Sequence, residues 1–323
     1  MAQTIDDRIV VAQIGEGIIS ILQRNEMNPT LYLREFIEIN KEKIGKDSLL
    51  YAGNTYLLPE LKTEKIKNEP VKEPNPTLIY PIFGKKYEQI FIKDKSLEGA
   101  VFYLVSGHGG PDPGAIGSYG SALLSEDEYS YDVTLRLAKN LIERSAEVYM
   151  IVIDEDDGIR NDNILFMDKD EQTFPNLIIP INQRARLKQR ADAVNELYMK
   201  NISKPYQRLI TIHIDSRSDG GNIDVFFYHH HRSKTGKKLA NNIHQTFRSK
   251  YERHQPGRKY DGSVSSRSGL YMIKNTLPPM VYIELGNIRN DRDQRRLVLS
   301  DNRQALANWI SEGILKDYSE SKN

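Results

Sequence analysis

Leu104-Val-Ser-Gly-His-Gly-Gly-Pro-Asp-Pro-Gly-Ala-Ile-Gly117 is the stretch on which the fold turns. The apolar run that leads into it, Ala100 to Val105, reads as a buried strand of a parallel sheet. The run stops in a loop holding Gly107, Gly109, Gly110, Gly114 and Gly117, stiffened by Pro111 and Pro113. His108 stands just past the strand end, where open α/β sheets form their ligand sites. Taken alone, that histidine fits a metal ligand, a general base or a loop residue with its hydrogen bonds satisfied.

Strand and helix patterns alternate beyond it. Helical faces are expected over 128–144, 182–199, 233–251 and 301–315, and strands over 148–153, 209–214, 223–228 and 280–285. That order predicts an α/β fold, a mostly parallel or mixed sheet flanked by helices. Ile79 to Ile92 reads as a strand pair around Gly84. The segment 155–182 is long and polar and finds no place in the pattern, which leaves room for a regulatory role.

Composition narrows the function. The 323 residues carry 45 Lys+Arg against 44 Asp+Glu, so no overall field draws nucleic acid or an anionic membrane. With no cysteine, disulfides and thiolate zinc sites are excluded, and a metal must be held by histidine and carboxylate. No apolar run is long enough to span a bilayer, and the first residues show no secretory signal.

Four chemical groups fall at element ends. They are His108, the acidic run Glu126-Asp-Glu128, His213 at the end of a β-branched strand, and Glu284 inside Val281-Tyr-Ile-Glu-Leu-Gly286. The helix dipole would favour the acidic run in any protein. Glu284 is harder to explain, because a carboxylate in an apolar strand is costly unless paired, metal-bound or protonated. Two histidines and a carboxylate with an open position make a catalytic zinc set. A further carboxylate then supplies general base and acid for amide cleavage.

From about Ala100 to Asp317 the chain resembles the zinc-dependent N-acetylmuramoyl-L-alanine amidases of the amidase-3 type. The matching motifs are Gly107-His-Gly-Gly-Pro-Asp-Pro-Gly-Ala-Ile-Gly117, Glu128 with Asp132 and Val133, Leu187 to Asn195, Thr211-Ile-His-Ile-Asp-Ser216, Gly221 with Phe226-Phe227, and Arg267 to Gly286. The resemblance implies zinc held by His108, Glu128 and His213, with Glu284 as the catalytic carboxylate. Because the loop from His108 to Glu128 is longer than the family's, Glu126 stays open as the ligand instead. Arg190, at the family's arginine position, Arg267 and Asn222 are candidates for binding substrate. Leu104-Val-Ser106 replaces the usual Asp-Pro, Ile214-Asp-Ser216 the usual Ala-Asn-Ala, and Asn287 a phenylalanine. His229-His-His231 reads as a solvated loop, and Asp154-Glu-Asp-Asp157 lacks calcium-loop spacing.

The first residues add a second resemblance. Val10-Val11, Gly15-Glu16, Ile21, Ile39-Asn40 and Tyr51-Ala-Gly-Asn-Thr-Tyr-Leu-Leu-Pro59 fall in β-α-α-β order. This resembles a LysM module, which binds N-acetylglucosamine-containing glycans. The expected organisation is therefore a LysM-like domain at 1–60, a Lys/Glu/Pro-rich linker at 61–78 and a catalytic domain at 79–323.

The implied partner is peptidoglycan, and the implied place is the cell envelope. A different zinc peptidase, or a non-catalytic wall-binding part of a phage-tail-like or injection apparatus, stand as rivals.

Overall fold

A computed structural model describes residues 8–13, 16–45, 49–60, 77–215 and 224–322. Asn222, Gly15, Gly221 and most of the expected linker lie outside those residues. The chain divides into two compact units, Met1–Val71 and Lys72–Asn323.

The first unit contains β1 (Ile9–Val11), α1 (Ile18–Arg24), α2 (Pro29–Ile39) and β2 (Thr55–Leu57). β1 and β2 pair antiparallel, with Val10 opposite Tyr56. Ile21, Leu22, Phe36 and Tyr56 form its core. Asn40 ties the second helix to the second strand. Its amide donates to the Phe36 and Leu57 carbonyls, at 2.9 and 2.8 Å, and its oxygen accepts the Leu57 N–H at 2.8 Å. A buried amide must be satisfied in this way, so the polar residue in the expected Ile39-Asn40 pair serves the fold.

The second unit opens with the antiparallel pair β3 (Thr77–Ile79) and β4 (Gln89–Phe91). There follow β5 (Ala100–Ser106), the hairpin β6 (Ile116–Tyr119) and β7 (Ala122–Ser125), α3 (Glu126–Ile142) and β8 (Glu147–Met150). A small sheet of β9 (Val152–Ile153), β10 (Gln172–Thr173) and β11 (Leu177–Ile178) comes next, then α4 (Gln183–Lys200) and β12 (Tyr206–Asp215). The chain ends with β13 (Phe226–His229), α5 (Lys234–His254), β14 (Ser263–Ser266), α6 (Tyr271–Asn275), β15 (Met280–Asn287), α7 (Asp291–Val298) and α8 (Ser300–Ser321).

The main sheet has six strands in the order β14-β13-β15-β12-β5-β8. All neighbours are parallel except β13 and β15, so the sheet is mixed. Alternate residues feed opposite faces, as the two-residue period of a strand requires. On β5, Ala100, Phe102 and Leu104 enter the core beneath α3, α5 and α8. Val101, Tyr103 and Val105 enter the second core, which includes Val194 of α4 and Met272 of α6. With both faces covered, the central strands can be apolar throughout.

This alternation also places chemistry. Leu209 and Tyr282 belong to the α4-side core, so His213, four residues after Leu209, and Glu284, two after Tyr282, share that face. His213 stands directly opposite Glu284 in the β12–β15 register. The register shifts between His213 and Asp215, which ends regular pairing at the strand tips.

Candidate active site

The ends of β5, β12 and β15 and the first turn of α3 surround a cavity of about 450 Å³. Its lining includes His108, Glu126, His213, Tyr282, Glu284 and Arg289. His108 adopts a left-handed φ of 61°, uncommon for a residue with a side chain. Three bonds hold it there: Arg190 donates to its carbonyl, Asp112 takes its Nδ1 at 3.0 Å, and the Gly109 N–H donates to the Asp112 carbonyl at 2.8 Å. Arg186 pairs with Asp112 behind them. With Nδ1 engaged, Nε2 of His108 faces Glu126 Oε2 at 3.3 Å.

Two glycines make the approach possible. A Cβ on Gly107 would stand 2.4 Å from His213 Nδ1. At Gly114, where φ is +70°, it would stand 2.7 Å from both Glu126 Oε2 and His108 Cδ2. The loop therefore needs glycine where it passes the imidazoles.

Glu126, not Glu128, is the carboxylate beside the histidines. Its Oε1 meets His213 Nδ1 at 2.8 Å and accepts the Ile214 N–H at 3.1 Å. Its Oε2 accepts the Ala115 N–H at 3.0 Å. Glu128 points elsewhere, into an ion pair with Arg160 at 2.8 Å, and accepts the Asp168 N–H at 3.1 Å. Residues advance about 100° each around a helix, so Glu126 and Glu128 face nearly opposite ways. The β6–β7 hairpin delivers Glu126 to the strand ends, so the geometry brings Glu126, and not the expected Glu128, to the two histidines.

Burial would raise the Glu126 pKa, but the His213 hydrogen bond and the two imidazoles beside it hold it below the usual carboxylate range. Burial lowers that of His213 despite Glu126. For His108 burial pulls down, yet the Asp112 hydrogen bond and the charges of Glu126 and Asp112 win and raise it. A metal requires an ionised carboxylate and neutral imidazoles; the shifts of Glu126 and His213 run in that direction and that of His108 runs against it.

The other expected residues divide. Glu284 lines the cavity across from His213 and is 8% exposed. Arg190 is 4% exposed, braces the His108 carbonyl and is not part of the cavity lining. Arg267 lies 5.0 Å over the Tyr228 ring and is not part of the cavity lining. His229 is buried and bonds the His230 carbonyl, while His231 bonds Ser268.

Three participants went unread in the sequence. Asp112 orients His108 from within the Pro-Asp-Pro segment. Tyr282 stacks on the His213 ring at 4.4 Å. Arg289 donates to the Ile116 carbonyl at 3.1 Å from the cavity wall. Only Tyr282 carried a signal, its two-residue offset from Glu284.

Residues 103–316 match the Amidase_3 family model, described as N-acetylmuramoyl-L-alanine amidase. The chain belongs to this family. It is a peptidoglycan N-acetylmuramoyl-L-alanine amidase in activity class. It is 25% identical over 224 residues to the germination-specific N-acetylmuramoyl-L-alanine amidase of Bacillus subtilis, covering 69% of this chain and 82% of the relative. Its fold is similar to that of the CwlD amidase from Clostridioides difficile, solved in complex with the GerS lipoprotein. The TM-score is 0.51 at 20% identity, over 68% of this chain and 99% of that one. An N-acetylmuramoyl-L-alanine amidase from Clostridium difficile gives a TM-score of 0.50 at 19% identity, over 70% of this chain and all (100%) of that one. The family match begins within β5, after the whole of the first unit.

Proposed function

We propose that this amidase cuts the bond between N-acetylmuramic acid and L-alanine with a zinc ion held by His108, Glu126 and His213, and with Glu284 as proton carrier. The observation that carries the reading is the donor set. A ligand atom from each of His108, Glu126 and His213 lies within 4.8 Å of the others, on a cavity that Glu284 also lines. Two imidazoles and a carboxylate suit zinc with an open position. Asp112 on the far nitrogen of His108 is the outer partner that such ligands usually keep. When bound, zinc would polarise the scissile carbonyl and lower the pKa of its water.

The remaining work falls to the chain. Glu284 accepts the water proton as attack begins and returns it to the departing alanine nitrogen. Tyr282, stacked on His213, fixes that ring's plane. Arg289 offers a guanidinium on the cavity wall and replaces Arg267 as the group for a substrate carboxylate. The first unit, LysM-like in its β-α-α-β order, would hold glycan strands weakly and raise the local concentration of a polymeric substrate. The corresponding place of action is the cell envelope.

Mass analysis of products from purified sacculi tests the reaction. Release of intact stem peptides with a free L-alanine amine, leaving lactyl groups on the glycan, is expected. Shortened peptides still attached to glycan would make the protein a peptidase and overturn the reading.

A further inference from the structure

The carboxylates of Glu126, Asp215 and Glu284 all line the cavity that holds the donor set. Arg289 is the one arginine or lysine in that lining among the described residues. An anionic substrate group that enters a wall with three carboxylates is repelled unless a cation receives it.

The chain around Arg289 fixes its position. β15 ends at Asn287, which is fully buried, and the Asn287 Oδ1 accepts the Arg289 N–H at 3.0 Å. The Asn290 N–H donates to the Asn287 carbonyl at 3.0 Å and closes the turn. The Ile288 N–H donates to the Asp215 carbonyl at 2.9 Å, and the Asn287 N–H to Asp293 Oδ2 at 3.0 Å. The β6–β7 hairpin lies against this turn. The Gln294 amide donates to the carbonyls of Ser118 and Ile288, at 2.9 and 2.7 Å. A Cβ on Gly117 would stand 2.2 Å from the Ile288 carbonyl oxygen, so only glycine lets the hairpin come this close.

The guanidinium itself is only partly engaged. Its Nε donates to the Ile116 carbonyl at 3.1 Å. Among the described residues no carboxylate forms an ion pair with it, although three line the same cavity. With Nε tied, the two terminal nitrogens remain as a fork, the geometry that grips a carboxylate through both oxygens. Arg289 is exposed, so a substrate can reach it.

Its place along the chain limits what it can read. Arg289 follows Glu284 by five residues, a backbone span of at most about 17 Å, and the turn at 287–290 shortens it. Both side chains line one cavity. A group held by Arg289 while Glu284 serves the scissile nitrogen therefore belongs to the first residues of the stem. The second of these is commonly a glutamate joined through its side chain. That linkage leaves its α-carboxylate free one residue from the scissile nitrogen, and in some walls the group is a carboxamide instead.

We propose that Arg289 binds the free α-carboxylate of the second stem residue and makes the enzyme select stems in which that group is acid rather than amide. This rests on the muramoyl–alanine cleavage proposed above and names the part of the substrate that the same site reads.

The test uses two soluble substrates, N-acetylmuramoyl-L-alanyl-γ-D-glutamyl-L-lysine and the same compound with its glutamate α-carboxylate as the carboxamide. Purified full-length enzyme should cleave the acid with kcat/KM about ten- to a hundredfold above the amide, the discrimination that one or two charge-assisted hydrogen bonds give. The difference should lie mainly in KM, since the contact is present in ground and transition states alike. It should shrink as salt is raised, because the guanidinium is exposed. Arg289→Gln should lower kcat/KM on the acid and level the two substrates. Arg289→Lys keeps the charge and loses the fork, so it should keep part of the preference. Equal kcat/KM on the two substrates in the wild type overturns the proposal, leaves the cleavage reading intact and requires no variant to fold. A loss in Arg289→Gln shared equally by acid and amide also overturns it, because a clamp on the hairpin would act on both. Product masses showing that neither substrate releases its whole peptide would overturn the cleavage reading, and this proposal with it.

Discussion

Three consecutive carboxylates open α3, and each does something different. Glu126 joins the two histidines, Asp127 accepts the Glu128 N–H, and Glu128 pairs with Arg160. Sequence could identify the run, since a helix N-terminus favours negative charge, but it could not say which member meets the strands. That depends on where the β6–β7 hairpin ends. His108, His213 and Glu284 were legible because each terminates or interrupts an apolar strand, where a polar side chain needs a reason. Glu284→Gln keeps the shape of the side chain and removes its basicity. It is expected to retain fold and zinc while turnover falls by about two to four orders of magnitude, the usual contribution of a general acid-base group. Steady-state rates on soluble muropeptides, with zinc content measured alongside, check this; near-normal turnover would make Glu284 structural.

At the scale of elements, α3 and α8 are joined by a buried ion network. Arg303 is fully buried, and its Nε donates to Asp132 at 2.6 Å. Its remaining nitrogens donate to the carbonyls of Leu297, Val298, Arg160 and Asp162. Asp132 is also buried and takes Arg136 at 2.7 Å. Arg303→Met removes five hydrogen bonds and half of the charge compensation at Asp132. A loss of about 3–5 kcal/mol is expected from urea unfolding, since one partner of a buried pair is left behind. Gly107→Ala tests the strand-end geometry. Its methyl would meet the His213 ring, so zinc affinity should fall while the far-ultraviolet spectrum stays that of the wild type. The main strands and long helices were readable from periodicity. The hairpin, the short β9–β11 sheet, β14 and α7 were not, because two- to four-residue strands and polar helices carry little periodic signal and are fixed by tertiary pairing. The polar 155–182 segment, unplaced by pattern, supplies Arg160, which pairs with Glu128 of α3, and the short strands β10 and β11.

On the scale of the whole molecule, the two units have separate cores. The first contains Ile21, Leu22, Phe36 and Tyr56, and the second is built on both faces of the six-stranded sheet. Separate cores imply separate folding. A chain starting at residue 77 should hydrolyse soluble fragments at the full-length rate and lose part of its rate on intact sacculi. Turbidity clearing of sacculi, compared with muropeptide turnover, separates the two effects. Equal activity of both forms on sacculi would remove glycan anchoring as the role of the first unit. The order β-α-α-β was legible there because each element has an apolar stripe, whereas the Asn40 lock on β2 is a tertiary feature.

The central claim is that His108, Glu126 and His213 together hold the catalytic zinc. Metal content of purified Glu126→Ala and Glu128→Gln, measured by mass spectrometry beside the wild type, tests it most directly. The account predicts one zinc per chain in the wild type and in Glu128→Gln, and a marked loss of zinc in Glu126→Ala. Full zinc in Glu126→Ala with loss in Glu128→Gln would contradict it.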